Sequence, residues 1–111
     1  MDRASNPPQA THDLEVLADR VRVTLAGEFD LANEQELTRW LADAIQAGPG
    51  RAVEVGMHDV TFIDSSGIRV LLQAHAMAVR HGGTFRLTSA SGTVREVLEI
   101  VAVYDFLTTG A

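Results

Sequence analysis

Residues 60–83 read VTFIDSSGIRVLLQAHAMAVRHGG, and this stretch decides the fold. It opens on an apolar run, Val60, Phe62 and Ile63, then turns polar at Asp64-Ser65-Ser66-Gly67. Ile68, Leu71, Leu72, His75, Ala76 and Val79 follow at i, i+3, i+4, i+7, i+8 and i+11, the spacing of one helical face. Val70, Ala74, Met77 and Ala78 make the flanks apolar as well, so most of this helix is expected to be buried. Arg80 and His81 suit the negative end of its dipole, and Gly82-Gly83 is a stop signal. Asp64, Ser65 and Ser66 are all good N-cap residues. On spacing alone the two serines read as helix caps. Their hydroxyls also lie where free backbone N–H groups and partial positive charge collect.

Upstream, Val53, Val55 and Met57 alternate as a strand that leads through His58-Asp59 into the central stretch. Before it, Asn33 with Glu36 three residues on resembles a capping box, and Leu37, Trp40, Leu41, Ala44 and Ile45 mark one helical face closed by Gly48-Pro49-Gly50. Trp40 on that stripe is expected in the core, given the area an aromatic ring buries. Strand, helix and strand together make a βαβ unit, which crosses over right-handedly. Leu14–Leu17 and Val21–Ala26 are strand candidates joined by a turn at Asp19, a link short enough for an antiparallel hairpin. Gly27 is expected to end the second of them, ahead of an acidic loop, Glu28-Phe29-Asp30. Downstream, Phe85 and Leu87 alternate as a fourth strand. A helix capped by Ser91 then carries Val94, Val97, Leu98 and Val101 at helical spacing. Residues 104–109 fit an edge strand or an extended tail. The expected fold is α/β, a mixed four- to five-stranded sheet covered by helices in the order ββαβαβα(β). Residues 1–12 are polar, carry Pro7-Pro8 and have no apolar period, so a flexible tail is expected to precede one domain at 13–111.

Composition narrows the function classes. The 111 residues suffice for one domain with a real core, and 46% apolar with 22% charged residues is ordinary for a globular chain. Nine basic against fifteen acidic residues give a net charge of −6, which opposes binding to nucleic acid. The absence of cysteine removes disulfides, thiolate catalysis and Cys-based zinc sites. The N-terminus has no apolar core of a signal peptide, and no apolar run reaches the roughly 18 residues of a membrane span. A cytoplasmic protein without membrane contact is expected.

Three kinds of chemistry compete for the Asp64–Gly67 corner. As a hydrolase, Ser65 or Ser66 would need His58, His75 or His81 as base, with Asp30 or Asp64 orienting it. No Gly-x-Ser-x-Gly elbow is present, His75 lies on the inward stripe, and His81 sits about four turns from Ser65. As a nucleotide site the helix N-terminus could hold phosphate, yet no phosphate loop accompanies it and Arg69 is the nearest cation in sequence. Metal ligands lack useful spacing, so neither metal nor cofactor is expected. A binding module fits better. A phosphoacceptor protein need only present a hydroxyl on an accessible turn, because the kinase supplies magnesium, base and positioning.

Phe62-Ile63-Asp64-Ser65-Ser66-Gly67 ahead of an apolar helix, with Gly27-Glu28-Phe29-Asp30 upstream, resembles the paired motifs of STAS domains, specifically bacterial anti-sigma factor antagonists. The order of elements agrees from about Leu14 to Thr109. The resemblance implies a non-catalytic protein that binds an anti-sigma factor when unphosphorylated and so frees a sigma factor. It places the phosphorylation site at Ser65, with Ser66 as the alternative, and implies a partner that is often the serine kinase and a phosphatase acting on Ser65. The implied partner-binding residues are Asp30, Asp64, Ser65, Ser66, Gly67 and Arg69, the two carboxylates suiting a basic surface. The chain departs from the family at Gly56, where relatives commonly carry Asp, and at Arg69, where they often carry a small residue; it also ends at Ala111 without the further C-terminal helix of some relatives. These departures leave open a STAS module that binds a nucleotide or other small ligand, or one that serves as a scaffold in a signalling assembly. Arg69, about 100° from the buried stripe, is expected to reach solvent and meet an acidic group on the partner.

Overall fold

The computed structural model describes residues 10–109. Most of the expected tail lies outside them, but its last two residues do not behave as tail. Thr11 and His12 open strand β1 (Thr11–Val16), pairing with Ala26 and Leu25 of the antiparallel strand β2 (Arg20–Phe29). Strands β3 (Ala52–Ile63) and β4 (Thr84–Thr88) add to β2 in parallel, giving a four-stranded mixed sheet in the order β1-β2-β3-β4. Helix α1 (Glu34–Ala47) makes the crossover from β2 to β3, and α2 (Ser65–Arg80) the one from β3 to β4.

The alternation read from the sequence sets which face is buried. Val21, Val23, Leu25 and Phe29 join Val53, Val55, Met57, Val60 and Ile63, and Phe85 and Leu87, in one core with Leu37, Leu41 and Ile45 of α1 and Ile68 and Leu71 of α2. The opposite face carries alternating charge. Glu15 pairs with Arg22 at 3.5 Å, and Glu54 receives both Arg20 at 3.2 Å and Arg86 from the neighbouring strands. Opposite charges on neighbouring strands are the favourable cross-strand arrangement.

Two β-bulges make β3 longer than the sequence pattern suggests. The register slips once between Thr24 and Ala26 and again between Gly27 and Glu28, each time adding a residue on β3. The alternation therefore breaks at His58-Asp59 and again at Thr61-Phe62, where two successive residues are exposed. His58-Asp59 is thus a bulge within one strand rather than a lead out of it. Likewise β2 runs through Gly27 to Phe29, and the loop begins only at Asp30. Trp40 is half-buried rather than fully in the core: it edges onto Phe29 and is stacked by His12 at 4.2 Å. Ala76 and Val79 face solvent, outside the buried stripe of their helix, which runs through Ile68, Leu71, Ala74, His75 and Ala78.

The segment expected as an edge strand or tail is a helix. After α3 (Gly92–Ile100), α4 (Tyr104–Thr109) packs along β4, buries Leu107 and sets Phe106 against His75 at 4.3 Å. The turn between α3 and α4 explains why it was hard to read. Helix α2 ends in a Schellman motif: Gly82 N–H donates to Val79 C=O at 3.0 Å, Gly83 N–H to Ala78 C=O at 2.9 Å, and Gly82 takes φ 81°. Helix α3 ends in the same motif, Ala102 to Glu99 at 3.0 Å and Val103 to Leu98 at 3.0 Å, but the left-handed position is Ala102, φ 64°. An alanine there announces no stop, so Val101 read as a continuation of the stripe; it is in fact the exposed last residue before the turn.

Alanine in that conformation carries strain that glycine lacks. Ala102→Gly is expected to stabilise the domain by about 0.5–1 kcal/mol, raising the melting temperature by a few degrees. Denaturant unfolding of the two proteins checks this, and a loss of stability would contradict the assignment of the turn.

Candidate functional site

Two adjacent parallel strands end in step, and both run into an aspartate. Phe29 and Ile63 are the last register partners of β2 and β3, and Asp30 and Asp64 follow them. Strand spacing brings these two chain ends to within about 5 Å of each other. Each aspartate caps what comes next. Asp30 Oδ1 accepts the Ala32 N–H at 2.9 Å and caps a single 3₁₀ turn, Leu31–Asn33. Asp64 Oδ1 accepts the N–H groups of Ser66 at 2.8 Å and Gly67 at 3.2 Å and caps α2. The Asp64 N–H in turn donates to the Phe29 carbonyl at 3.1 Å, lacing the end of β3 to β2.

The capping box is therefore three residues earlier than expected. Asp30 is the cap and Asn33 its reciprocal partner, accepting the Asp30 N–H at 3.0 Å and donating to the Glu28 carbonyl at 2.8 Å. Asn33 makes no side-chain cap to α1, because its amide is already spent on that loop. At α3, Ser91 is the N-cap residue but its hydroxyl makes no capping bond.

Since Asp64 is the cap, the serines are free of that duty. Ser65 is the first residue of α2 and is exposed; Ser66 is half-buried. Among the described residues the Ser65 hydroxyl has no hydrogen-bond partner. Gly67 is buried under the corner. A Cβ there would stand 2.7 Å from Ile63 Cγ1 and 3.3 Å from the Phe29 carbonyl oxygen, so only glycine lets α2 leave the sheet at this closeness.

Arg69 lies at the surface as expected, with its side chain 57% exposed, but it does not wait for a partner: its guanidinium is paired with Glu34 in the first turn of α1. Glu34 was not legible as a site residue, because thirty-five positions separate it from Arg69 and only the packing of α1 on α2 brings them together. Two exposed apolar side chains also frame the corner and had gone unremarked as surface: Leu31, 68% exposed on the 3₁₀ turn, and Phe62, 42% exposed where the second bulge turns it outward. The structure thus brings Asp30, Asp64, Ser65, Ser66, Gly67 and Arg69 to one end of the sheet and adds Leu31, Glu34 and Phe62.

Of the candidate bases, His58 sits exposed in the first bulge of β3 beside Asp59, and the other two lie away from Ser65. His75 is buried against Phe85 and Phe106, and His81 lies sixteen residues on, about 24 Å along the helix, its ring Nδ1 2.9 Å from the Met77 carbonyl oxygen. Among the described residues no three His, Asp or Glu side chains gather as a metal site, and no helix is long and apolar enough to cross a membrane. The groove of about 320 Å³ between α1 and α2 is lined by Thr38, Ala42, Gln73, Ala74, Met77 and Arg80, among others, and by no residue of the corner.

Asp64→Ala should cost about 1–2 kcal/mol through the two lost capping bonds. Gly67→Ala should cost about 1–3 kcal/mol by forcing α2 off Ile63. Chemical denaturation of both variants measures this; a Gly67→Ala protein as stable as the parent would show that the contact yields without strain.

Comparison with known proteins finds the same fold. The model of the STAS domain family matches residues 9–111. The chain is 23% identical over 99 residues to an anti-sigma-B factor antagonist of Bacillus subtilis, covering 89% of each chain. An anti-sigma factor antagonist from Mycobacterium paratuberculosis superposes with a TM-score of 0.79 at 18% identity, over 93% of this chain and 86% of that one. The anti-sigma factor antagonist SpoIIAA in its unphosphorylated form superposes with a TM-score of 0.69 at 25% identity, over 86% and 84%; the phosphorylated form of this Bacillus cell fate determinant does so with 0.63 at 23%, over 88% of each. The chain belongs to the STAS domain family, and its relatives there include anti-sigma factor antagonists.

Proposed function

We propose that this protein is an anti-sigma factor antagonist: unphosphorylated, it binds an anti-sigma factor through the Asp30–Arg69 corner and so frees a sigma factor; phosphorylated on Ser65, it lets go. The observation that carries this reading is the division of labour at the start of α2, where Asp64 does the capping and leaves the exposed Ser65 hydroxyl unengaged. A relative known in both phosphorylated and unphosphorylated forms supports it. The protein's part is substrate and ligand rather than enzyme. A kinase, which the anti-sigma factor itself could be, moves the γ-phosphoryl group of ATP to Ser65 Oγ, with loss of the hydroxyl proton and release of ADP. A phosphatase reverses the mark by hydrolysis. Both encounters take place in the cytoplasm.

The docking surface has the anatomy of a small interface. Leu31 and Phe62 supply apolar anchors, Asp30 and Asp64 supply negative charge for a basic partner surface, and Ser65 stands at the centre. A phosphate adds a charge of about −1.5 to −2 at neutral pH. In the free protein the dipole of α2 favours the added charge at its N-terminus, so folding stability changes little. In the complex a surface matched to a neutral hydroxyl must accept a bulky dianion. A loss of about 3–4 kcal/mol weakens binding several hundredfold, enough to release a micromolar partner.

Calorimetric titration of the anti-sigma factor tests this. Ser65→Ala and Ser66→Ala are expected to bind as the parent does, and the Ser65-phosphorylated protein several hundredfold more weakly; Ser66→Ala is expected still to be phosphorylated. Phosphopeptide mapping to Ser66 alone would move the acceptor by one residue, and tight binding of the Ser65-phosphorylated form would overturn the mechanism.

A further inference from the structure

Resting on the reading of Ser65 as phosphoacceptor, we propose that Arg69 is the internal receiver of the Ser65 phosphate, and that Glu34 holds it in the unmodified protein and is released when the phosphate takes it. Ser65 and Arg69 are one turn apart on α2 and both exposed, so their Cβ atoms lie about 6 Å from each other on one helix face. Helical side chains lean toward the N-terminus, which directs the long Arg69 side chain back over the turn that carries Ser65. The guanidinium is half-exposed and, among the described residues, engaged only by Glu34, a surface pair of the kind that exchanges readily.

The competition favours the phosphate. It carries nearly twice the charge of a carboxylate and three acceptor oxygens that match the guanidinium fork. Glu34 is not stranded by the exchange, because it sits in the first turn of α1, where the helix dipole stabilises a carboxylate. The consequence reaches beyond Ser65. In the unmodified protein Arg69 neutralises Glu34 beside the Asp30 turn; after modification that carboxylate faces the partner uncompensated. One covalent event thereby changes the charge of the docking face at two places, on α2 and on α1. A small residue at position 69 could do neither, so the switch of this chain is coupled to α1 through Arg69.

The test uses the full chain with phosphoserine encoded at position 65, which makes it independent of any kinase, and reads the second ionisation of the phosphate by phosphorus NMR. The carboxylates of Asp64 and Asp30 raise that pKa in every variant and cancel in comparison; a nearby guanidinium lowers it. Arg69→Ala is expected to raise the phosphate pKa by roughly half a unit relative to the parent, Arg69→Lys to recover part of the difference, and Glu34→Gln to lower the value below the parent's by removing the competitor. Equal values in the parent and Arg69→Ala overturn the proposal. Binding of the anti-sigma factor is measured separately on the same proteins, so a failure of the functional reading would show there with the pKa difference intact.

Discussion

The corner depends on one residue making bonds in two directions. The backbone of Asp64 closes the end of β3 onto β2 through the Phe29 carbonyl, and its carboxylate opens α2 by taking the N–H groups of Ser66 and Gly67. A helix that begins immediately after a strand has little chain with which to turn, so its first amides would be left without partners if the residue between the two did not supply one. Everything else at the corner follows. Gly67 must be small because the helix leaves the sheet against Ile63, and the Ser65 hydroxyl is exposed and, among the described residues, unbonded because the cap lies one residue before it. The hydroxyl is displayed by the same constraint that starts the helix.

That constraint is repeated on the neighbouring strand. Phe29-Asp30 does for the 3₁₀ turn what Ile63-Asp64 does for α2, and parallel pairing sets the two aspartates side by side. Both carboxylates are tied to backbone amides, so the negative charge of the face is held in place by rigid elements. The exposed Leu31 and Phe62 complete it: one follows the first cap, and the other precedes the second.

Much of this was legible because it is local. The Asp64–Gly67 signature, the stripe from Ile68 and the Gly82-Gly83 stop each lie within a few residues, and the structure bears them out as corner, buried helix and Schellman turn. What escaped reading depends on contacts distant in sequence or on backbone conformations that the residue type does not announce. The bulges of β3 exist only relative to β2, so nothing in the alternation told that Phe62 faces outward or that His58-Asp59 lies within the strand. Ala102 occupies a glycine's conformation, which concealed the end of α3 and with it α4. Asn33 and Glu36 have the spacing of a capping box, but Asp30 had already taken Asn33. The departures from the family pattern at Gly56 and Arg69 have different weights. Gly56 sits in the middle of β3 between Thr24 and Thr88 with no close contact to an added Cβ, the nearest atom being 3.7 Å away, so it alters no loop. Arg69 rebuilds the charge of the face through Glu34.

The central claim is that this corner, rather than the helices α3 and α4 with their exposed Ile100 and Phe106, is where the partner binds. Amide hydrogen exchange of the protein alone and in complex with the proposed partner, an anti-sigma factor, tests it most directly. The account predicts added protection at residues 30–34 and 61–69 with α3 and α4 unchanged; protection confined to α3 and α4 would contradict it.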